Sequence, residues 1–161
     1  LVMDYRTYGN STGKLSEEDF YKQYEYCYDY LIKHYNEPKI KLYGSSLGTG
    51  IASYLASKNN PKQLILETPY YSIADVAISR FPIFPVKRLL KYKFPSFQYL
   101  LKTNCPLAIL HGTEDNVVPY SSGKKLDELG LKNINFITVE GGSHNNLIDF
   151  DAYHKTIKGL L

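Results

Sequence analysis

Cysteine is scarce in this chain, and neither copy sits in a pattern that chemistry could use. Cys27 and Cys105 stand far apart, with no C-x-x-C and no histidine-rich spacing around either. That argues against a disulfide framework or a structural metal, and for a reducing compartment, read here as the cytoplasm. No apolar run approaches the roughly 18 residues that a membrane span needs. Net charge is low as well, +3 from 19 basic and 16 acidic residues spread along the chain. Neither that balance nor any RRM, zinc-finger or helix-turn-helix signature points to nucleic acid. Internal repeats, low-complexity tracts and linkers are absent too, so residues 1–161 read as a single domain. The first residue is Leu1 rather than Met and no targeting segment is visible, so the visible start is expected to fall short of the true one.

With 43% hydrophobic and 22% charged residues, the chain has the composition of an ordinary globular protein long enough to bury a core. LVMDY (1–5) has the apolar run of a short buried strand, and TYGNSTGK (7–14) the turn residues of a loop. Ser16 followed by Glu17, Glu18 and Asp19 is an N-cap signal with acids suited to the first turn. Phe20, Tyr24, Cys27, Leu31 and Tyr35 then recur at helical spacing as the expected buried stripe, and Pro38 closes the unit. Strands are expected at 40–43, 63–67, 106–111 and 134–139. Helices are expected at about 47–58, 121–129 and 149–161. Alternating helices and nearly continuous apolar strands predict an α/β fold, a mostly parallel sheet flanked by helices on both faces. Residues 70–101 interrupt the rhythm with Pro82, Pro85, Pro95 and many aromatics, as a lid-like insertion would. Lys87, Arg88, Lys91 and Lys93 are expected on a short helix there. A solvated outer face is the plainer reading of that cluster, and contact with an anionic substrate or membrane surface is the other.

The stretch LYGSSLGTGIA (42–52) follows a strand and opens a helix, and it parses two ways. As Gly44-x-x-x-Gly48-x-Gly50 it is a phosphate-cradling loop, with Glu67 at the end of the next strand as the ribose-binding acid. So parsed, the stretch resembles the short-chain dehydrogenase fingerprint, and that resemblance implies an oxidoreductase with a Tyr-x-x-x-Lys pair. With 16 Tyr and 16 Lys, about 1.6 such pairs arise by chance, and three occur. The last of them, Tyr120 and Lys124, follows Val117-Val118-Pro119 and is expected in a loop, a poor setting for a helical catalytic pair. GNSTGK (9–14) is one residue short of a P-loop and has Leu15 where Ser or Thr should hold magnesium.

Read as Gly44-x-Ser46-x-Gly48, the same stretch is a nucleophile elbow, and it makes predictions elsewhere. A serine nucleophile needs a base to take its proton and an acid to orient that base, carried on later strands. HGTEDNVVP follows the strand at 106–111 and offers Asp115, while EGGSHNNL follows the strand at 134–139 and offers His144. All three side chains then lie at the C-terminal ends of strands, where open α/β sheets carry their sites. Gly44 and Gly48 remove side chains that would collide across the turn, and Gly50 is expected where the following helix packs on the sheet. Ser45 is out of phase with the glycines and is expected to pack or bond locally. His111 is expected to support the acid loop, while His34 and His154 read as surface residues. Glu67 is the rival acid; Glu114 would point elsewhere, and Asp149 and Asp151 violate the chain order.

DYRTYGNSTG, LYGSSLGTGIA, LILETPY, CPLAILHGTEDNVVP and GGSHNNL together resemble successive blocks of the α/β-hydrolase superfamily, from Asp4 to the C-terminus, with Thr7 where relatives usually have Gly. The serine-aminopeptidase-like and dienelactone-hydrolase-like branch, with its protein-depalmitoylating members, is the nearest by pattern. The resemblance implies a serine hydrolase with a Ser46, Asp115 and His144 triad, cleaving an ester, thioester or amide of a small-molecule, acylated or peptidic substrate with no metal or organic cofactor. It implies one oxyanion donor at the Leu47 backbone N–H and another in the loop after the family's third strand. By that alignment the chain begins at the fourth strand, so the second donor falls outside it and a gap is expected beside IKLY (40–43). A catalytically silent fragment or interaction module is the alternative, and a dinucleotide-binding oxidoreductase a third. Membrane contact and oligomeric state stay open.

Overall fold

A computed structural model describes residues 1–2, 12 and 16–160, so most of the LVMDY strand and the TYGNSTGK loop, with Thr7, lie outside the described residues. Helix α1 (Glu17–His34) starts where the cap signal put it. The Ser16 side chain accepts from the Asp19 N–H at 3.0 Å, and three acids occupy the first turn. Its buried positions are Phe20 and Tyr28, with Tyr24 and Leu31 packed beside them. The spacing of 3.6 residues carries the stripe through Tyr28 rather than through Cys27 and Tyr35. Tyr35 lies past the helix end and is exposed.

Four strands follow: β1 (Lys41–Ser45), β2 (Gln63–Glu67), β3 (Leu107–Gly112) and β4 (Ile134–Val139). They pair in chain order, all parallel, in register from Lys41 opposite Gln63 to Gly112 opposite Val139. Between and after them run α2 (Gly48–Lys58), α6 (Tyr120–Asp127) and α7 (Asp151–Leu160). Tyr120 and Lys124 share α6 rather than lying in a loop as expected, because the helix starts directly after Pro119. The 70–101 segment is three short helices, α3 (Ile73–Arg80), α4 (Val86–Leu89) and α5 (Ser96–Leu100), separated at the prolines. Of the basic cluster, α4 takes only Lys87 and Arg88; Lys91 and Lys93 lie beyond its end.

Side chains alternate across the strands and feed two cores. Leu64, Leu66, Leu107 and Ile109 face Ala52 and Ala56 of α2, Leu100 of α5 and Leu126 of α6. Ile65, Leu110 and Val139 face the other way, toward Tyr153, Ile157 and Leu160 of α7. Both faces of the sheet are therefore covered, which is why the strands lack polar alternation. Among the described residues β1 pairs only with β2. Along its other edge lies a cavity of about 430 Å³, walled by Tyr24, Tyr28 and Leu31 of α1 and by Ile51 and Leu55 of α2. Ser45 opens onto it and is exposed rather than packed. No helix among the described residues is long and apolar enough to cross a membrane.

Candidate active site

Because the four strands are parallel, the loops after β1, β3 and β4 leave the same edge of the sheet. Ser46 sits between β1 and α2 with φ at +49°, a left-handed conformation that costs a non-glycine residue energy and is held only where surroundings enforce it. Its N–H donates to the Glu67 carbonyl at 3.0 Å, and its own carbonyl accepts from the Thr49 N–H at 3.0 Å and hydroxyl at 2.6 Å. Gly44 is required by the same turn: a Cβ there would stand 2.7 Å from the Gly48 carbonyl oxygen and 2.9 Å from Ala52 Cβ. The amides of Leu47 and Gly48 open α2 and belong to the four that a helix leaves without intrahelical acceptors.

Gly50 is small for a different reason than expected. Tyr70, from the stretch after β2, passes against it and donates to the Leu47 carbonyl at 3.1 Å. A Cβ on Gly50 would lie 2.2 Å from that hydroxyl. The third glycine thus seats a tyrosine under the elbow.

The acid loop begins at Gly112. Asp115 is buried, and one carboxylate oxygen, Oδ1, accepts from the Val117 and Val118 N–H groups at 2.8 Å each. The other, Oδ2, lies 2.8 Å from His144 Nδ1 and 3.4 Å from His111 Nε2. Burial alone would push this carboxyl up, but hydrogen bonds from His111, His144 and the Val117 and Val118 backbone outweigh it and hold the pKa at about 2. Asp115 is therefore ionised at neutral pH. His111 is fully buried, and its Nε2 donates to the Val118 carbonyl at 3.0 Å, tying the loop back to β3.

His144 is set by the loop after β4. Gly141 takes φ +72°, its N–H donates to Thr113 Oγ1 at 2.9 Å, and the Glu114 N–H donates to the Gly142 carbonyl at 2.9 Å. The Asn146 side chain accepts from the Ser143 N–H at 2.7 Å. These bonds lock the base loop to the acid loop. His144 Nε2 then lies 2.9 Å from Ser46 Oγ, so Asp115, His144 and Ser46 form one continuous hydrogen-bonded chain.

Glu67 is not in that chain. Its carboxylate takes a hydrogen bond from the Tyr43 hydroxyl, which also meets Tyr153 at 3.3 Å. His34 and His154 are exposed. Three contributors escaped the sequence reading. Thr113 and Asn146 lie inside the motifs and could have been sought as loop locks. Arg80, at the end of α3, donates to the Asn116 and Val117 carbonyls, and nothing local in the sequence signals that contact. Among the described residues no three His, Cys, Asp or Glu side chains group as metal ligands.

The family model described as alpha/beta hydrolase fold matches residues 1–69. The chain is 34% identical over 162 residues to alpha/beta hydrolase domain-containing protein 17C of Xenopus tropicalis, covering 98% of this chain and 50% of that protein. It is 32% identical over 160 residues to alpha/beta hydrolase domain-containing protein aho-3 of Caenorhabditis elegans, covering 98% and 47%. The chain thus spans about half the length of these curated relatives. Among solved structures, an alpha-beta serine hydrolase homologue from Coxiella burnetii superposes with a TM-score of 0.71 at 22% identity, over 98% of this chain and 67% of that one. At that identity the likeness is one of fold.

Proposed function

Since the chain belongs to the α/β-hydrolase superfamily, whose fold it shares with known esterases and lipases, we propose that it acts as a serine hydrolase through an acyl-enzyme on Ser46. The observation that carries this reading is the hydrogen-bonded chain from Asp115 through His144 to Ser46, at 2.8 and 2.9 Å. With Asp115 ionised, the His144 proton belongs on Nδ1, which leaves Nε2 free to accept the Ser46 hydroxyl proton. As Oγ attacks the carbonyl carbon of an ester, thioester or amide, Nε2 takes that proton and Asp115 stabilises the imidazolium. The carbonyl electrons collect on oxygen, where the Leu47 N–H is the donor assigned to meet them. Collapse of the adduct expels the leaving group, which receives the proton from Nε2. Water, deprotonated by the same nitrogen, then adds to the acyl-enzyme and releases the acid and Ser46.

A fluorophosphonate probe tests the proposal. Covalent labelling of the folded chain that disappears in Ser46→Ala supports it. A folded chain that takes no label sinks it and leaves the silent hydrolase-fold module as the better reading.

A further inference from the structure

The 70–101 segment is pinned to the body at its roots and bare at its tip. Glu17 accepts from the Lys93 and Phe94 N–H groups at 2.7 and 3.0 Å, and Phe94 is buried against Phe20. Ser122 Oγ donates to Asp75 at 2.6 Å, so α3 is bound to α6, and Arg80 fastens the end of α3 to the acid loop. Val86 anchors α4 from beneath. Between these anchors the apolar side chains are left outside: Ile83 is 93% exposed, Leu89 70%, Phe84 63% and Phe81 57%. Four large apolar residues gathered at one tip of a held segment form a patch, which is a different matter from scattered surface leucines.

Beyond Asp75 the charged residues of this segment are of one sign. Asp75 is the last acid before Glu114, so residues 76–113 contain no Asp or Glu, and Arg80, Lys87, Arg88, Lys91 and Lys93 fall within that run. Arg88, Lys91 and Lys93 are exposed. Pro82 and Pro85 bracket Ile83 and Phe84, which deprives the tip of the amides that a pairing strand would use. An exposed apolar tip followed in the chain by exposed Arg88, Lys91 and Lys93 fits a surface that is apolar below and anionic above.

We propose that residues 81–93 dock this protein on the headgroup–acyl boundary of an anionic lipid bilayer, with Phe81, Ile83, Phe84 and Leu89 inserted and Arg88, Lys91 and Lys93 on the headgroups. Docking places the bilayer beside the loop that carries Asp115, through Arg80, without depending on whether Ser46 is acylated.

The sequence contains no tryptophan, so Ile83→Trp introduces a sole tryptophan, which can be excited selectively over the 16 tyrosines. With vesicles of phosphatidylcholine and phosphatidylserine at about 7:3, its emission is expected to shift to the blue and to be quenched by brominated acyl chains. Ile148→Trp, at another exposed apolar position outside the patch, is expected to do neither. In flotation, Ile83→Ser with Phe84→Ser should weaken vesicle binding at least tenfold, and Arg88→Glu with Lys91→Glu should abolish the preference over pure phosphatidylcholine. All four substituted side chains are exposed, and melting curves matching the parent show that binding rather than folding was changed. A parent chain that leaves both vesicle types unbound overturns the proposal, as does equal binding by parent and variants. Capture on immobilised polyglutamate without any vesicle binding would overturn it in favour of an acidic protein partner.

Discussion

Adding one methyl group at Gly112 should separate the acid from the base. Gly112 ends β3, three residues before Asp115, and a Cβ there would stand 2.1 Å from the Gly142 carbonyl oxygen, 2.4 Å from its carbon and 2.9 Å from Leu147 Cδ2. The leucine methyl can rotate away, but the carbonyl cannot. It accepts from the Glu114 N–H at 2.9 Å, while the Gly142 N–H donates to Val139 at 3.0 Å. The base loop as a whole must therefore retreat by about 1 Å before the contact becomes tolerable. That displacement falls on the 2.8 Å bond between His144 Nδ1 and Asp115, and stretching it toward about 3.6 Å ends it as a hydrogen bond. Overpacking of this kind costs about 1–3 kcal/mol of stability, and a 1 Å misplacement of a reacting group costs about 10²-fold in rate. Urea midpoints and the second-order rate of fluorophosphonate labelling measure the two effects on one sample. Gly159→Ala is the control: it lies in α7 with nothing within 4 Å of the added carbon, and should gain up to about 1 kcal/mol with an unchanged labelling rate. If Gly112→Ala keeps the parent's midpoint and labels within twofold of its rate, the coupling of the two loops through this contact is refuted.

Asp115→Asn should keep the fold but offer His144 the wrong hydrogen-bond partner, slowing labelling by about 10⁴-fold; a loss below tenfold would remove Asp115 from the site. The same residue predicts acid sensitivity. Its folded pKa of about 2 lies below the ordinary value, so its contribution is present above about pH 4 and is lost as pH falls toward 2. That contribution is about 2 kcal/mol, and urea unfolding at pH 6 and pH 2.5 should show a smaller acid loss in Asp115→Asn than in the parent; parallel losses would contradict it. Gly50→Ala should destabilise through its 2.2 Å clash with the Tyr70 hydroxyl, and Tyr70→Phe, which removes that oxygen, should relieve part of the cost. A double-mutant cycle with coupling near zero, rather than about 1 kcal/mol, would show that the clash is absorbed elsewhere.

What the sequence made legible was whatever local pattern alone decides. β2 and β4 keep the bounds 63–67 and 134–139 expected from their strand-forming runs. Ser16 capped α1 as its type and spacing dictate. Ser46, Asp115 and His144 could be singled out because each sits in a short turn at a strand end, and parallel pairing alone brings those turns to one edge of the sheet. Contacts between segments distant in sequence were not legible. Tyr28 replaced Cys27 in the core because what decides is the side of α1 that meets Ile40 and Leu55, and a neighbour of similar hydrophobicity hides that choice. Gly50 carried the same signal whether a phosphate, a sheet or a tyrosine approached it, since glycine records only that something comes close. Nothing near Arg80 in the sequence marks the contact its guanidinium makes with the carbonyls of Asn116 and Val117. The sequence thus displays the residues proposed to react more openly than those that hold them in place. The substitutions that discriminate best are therefore at the silent positions, Gly112, Gly50 and Arg80, where the structure makes a quantitative demand that the motifs do not.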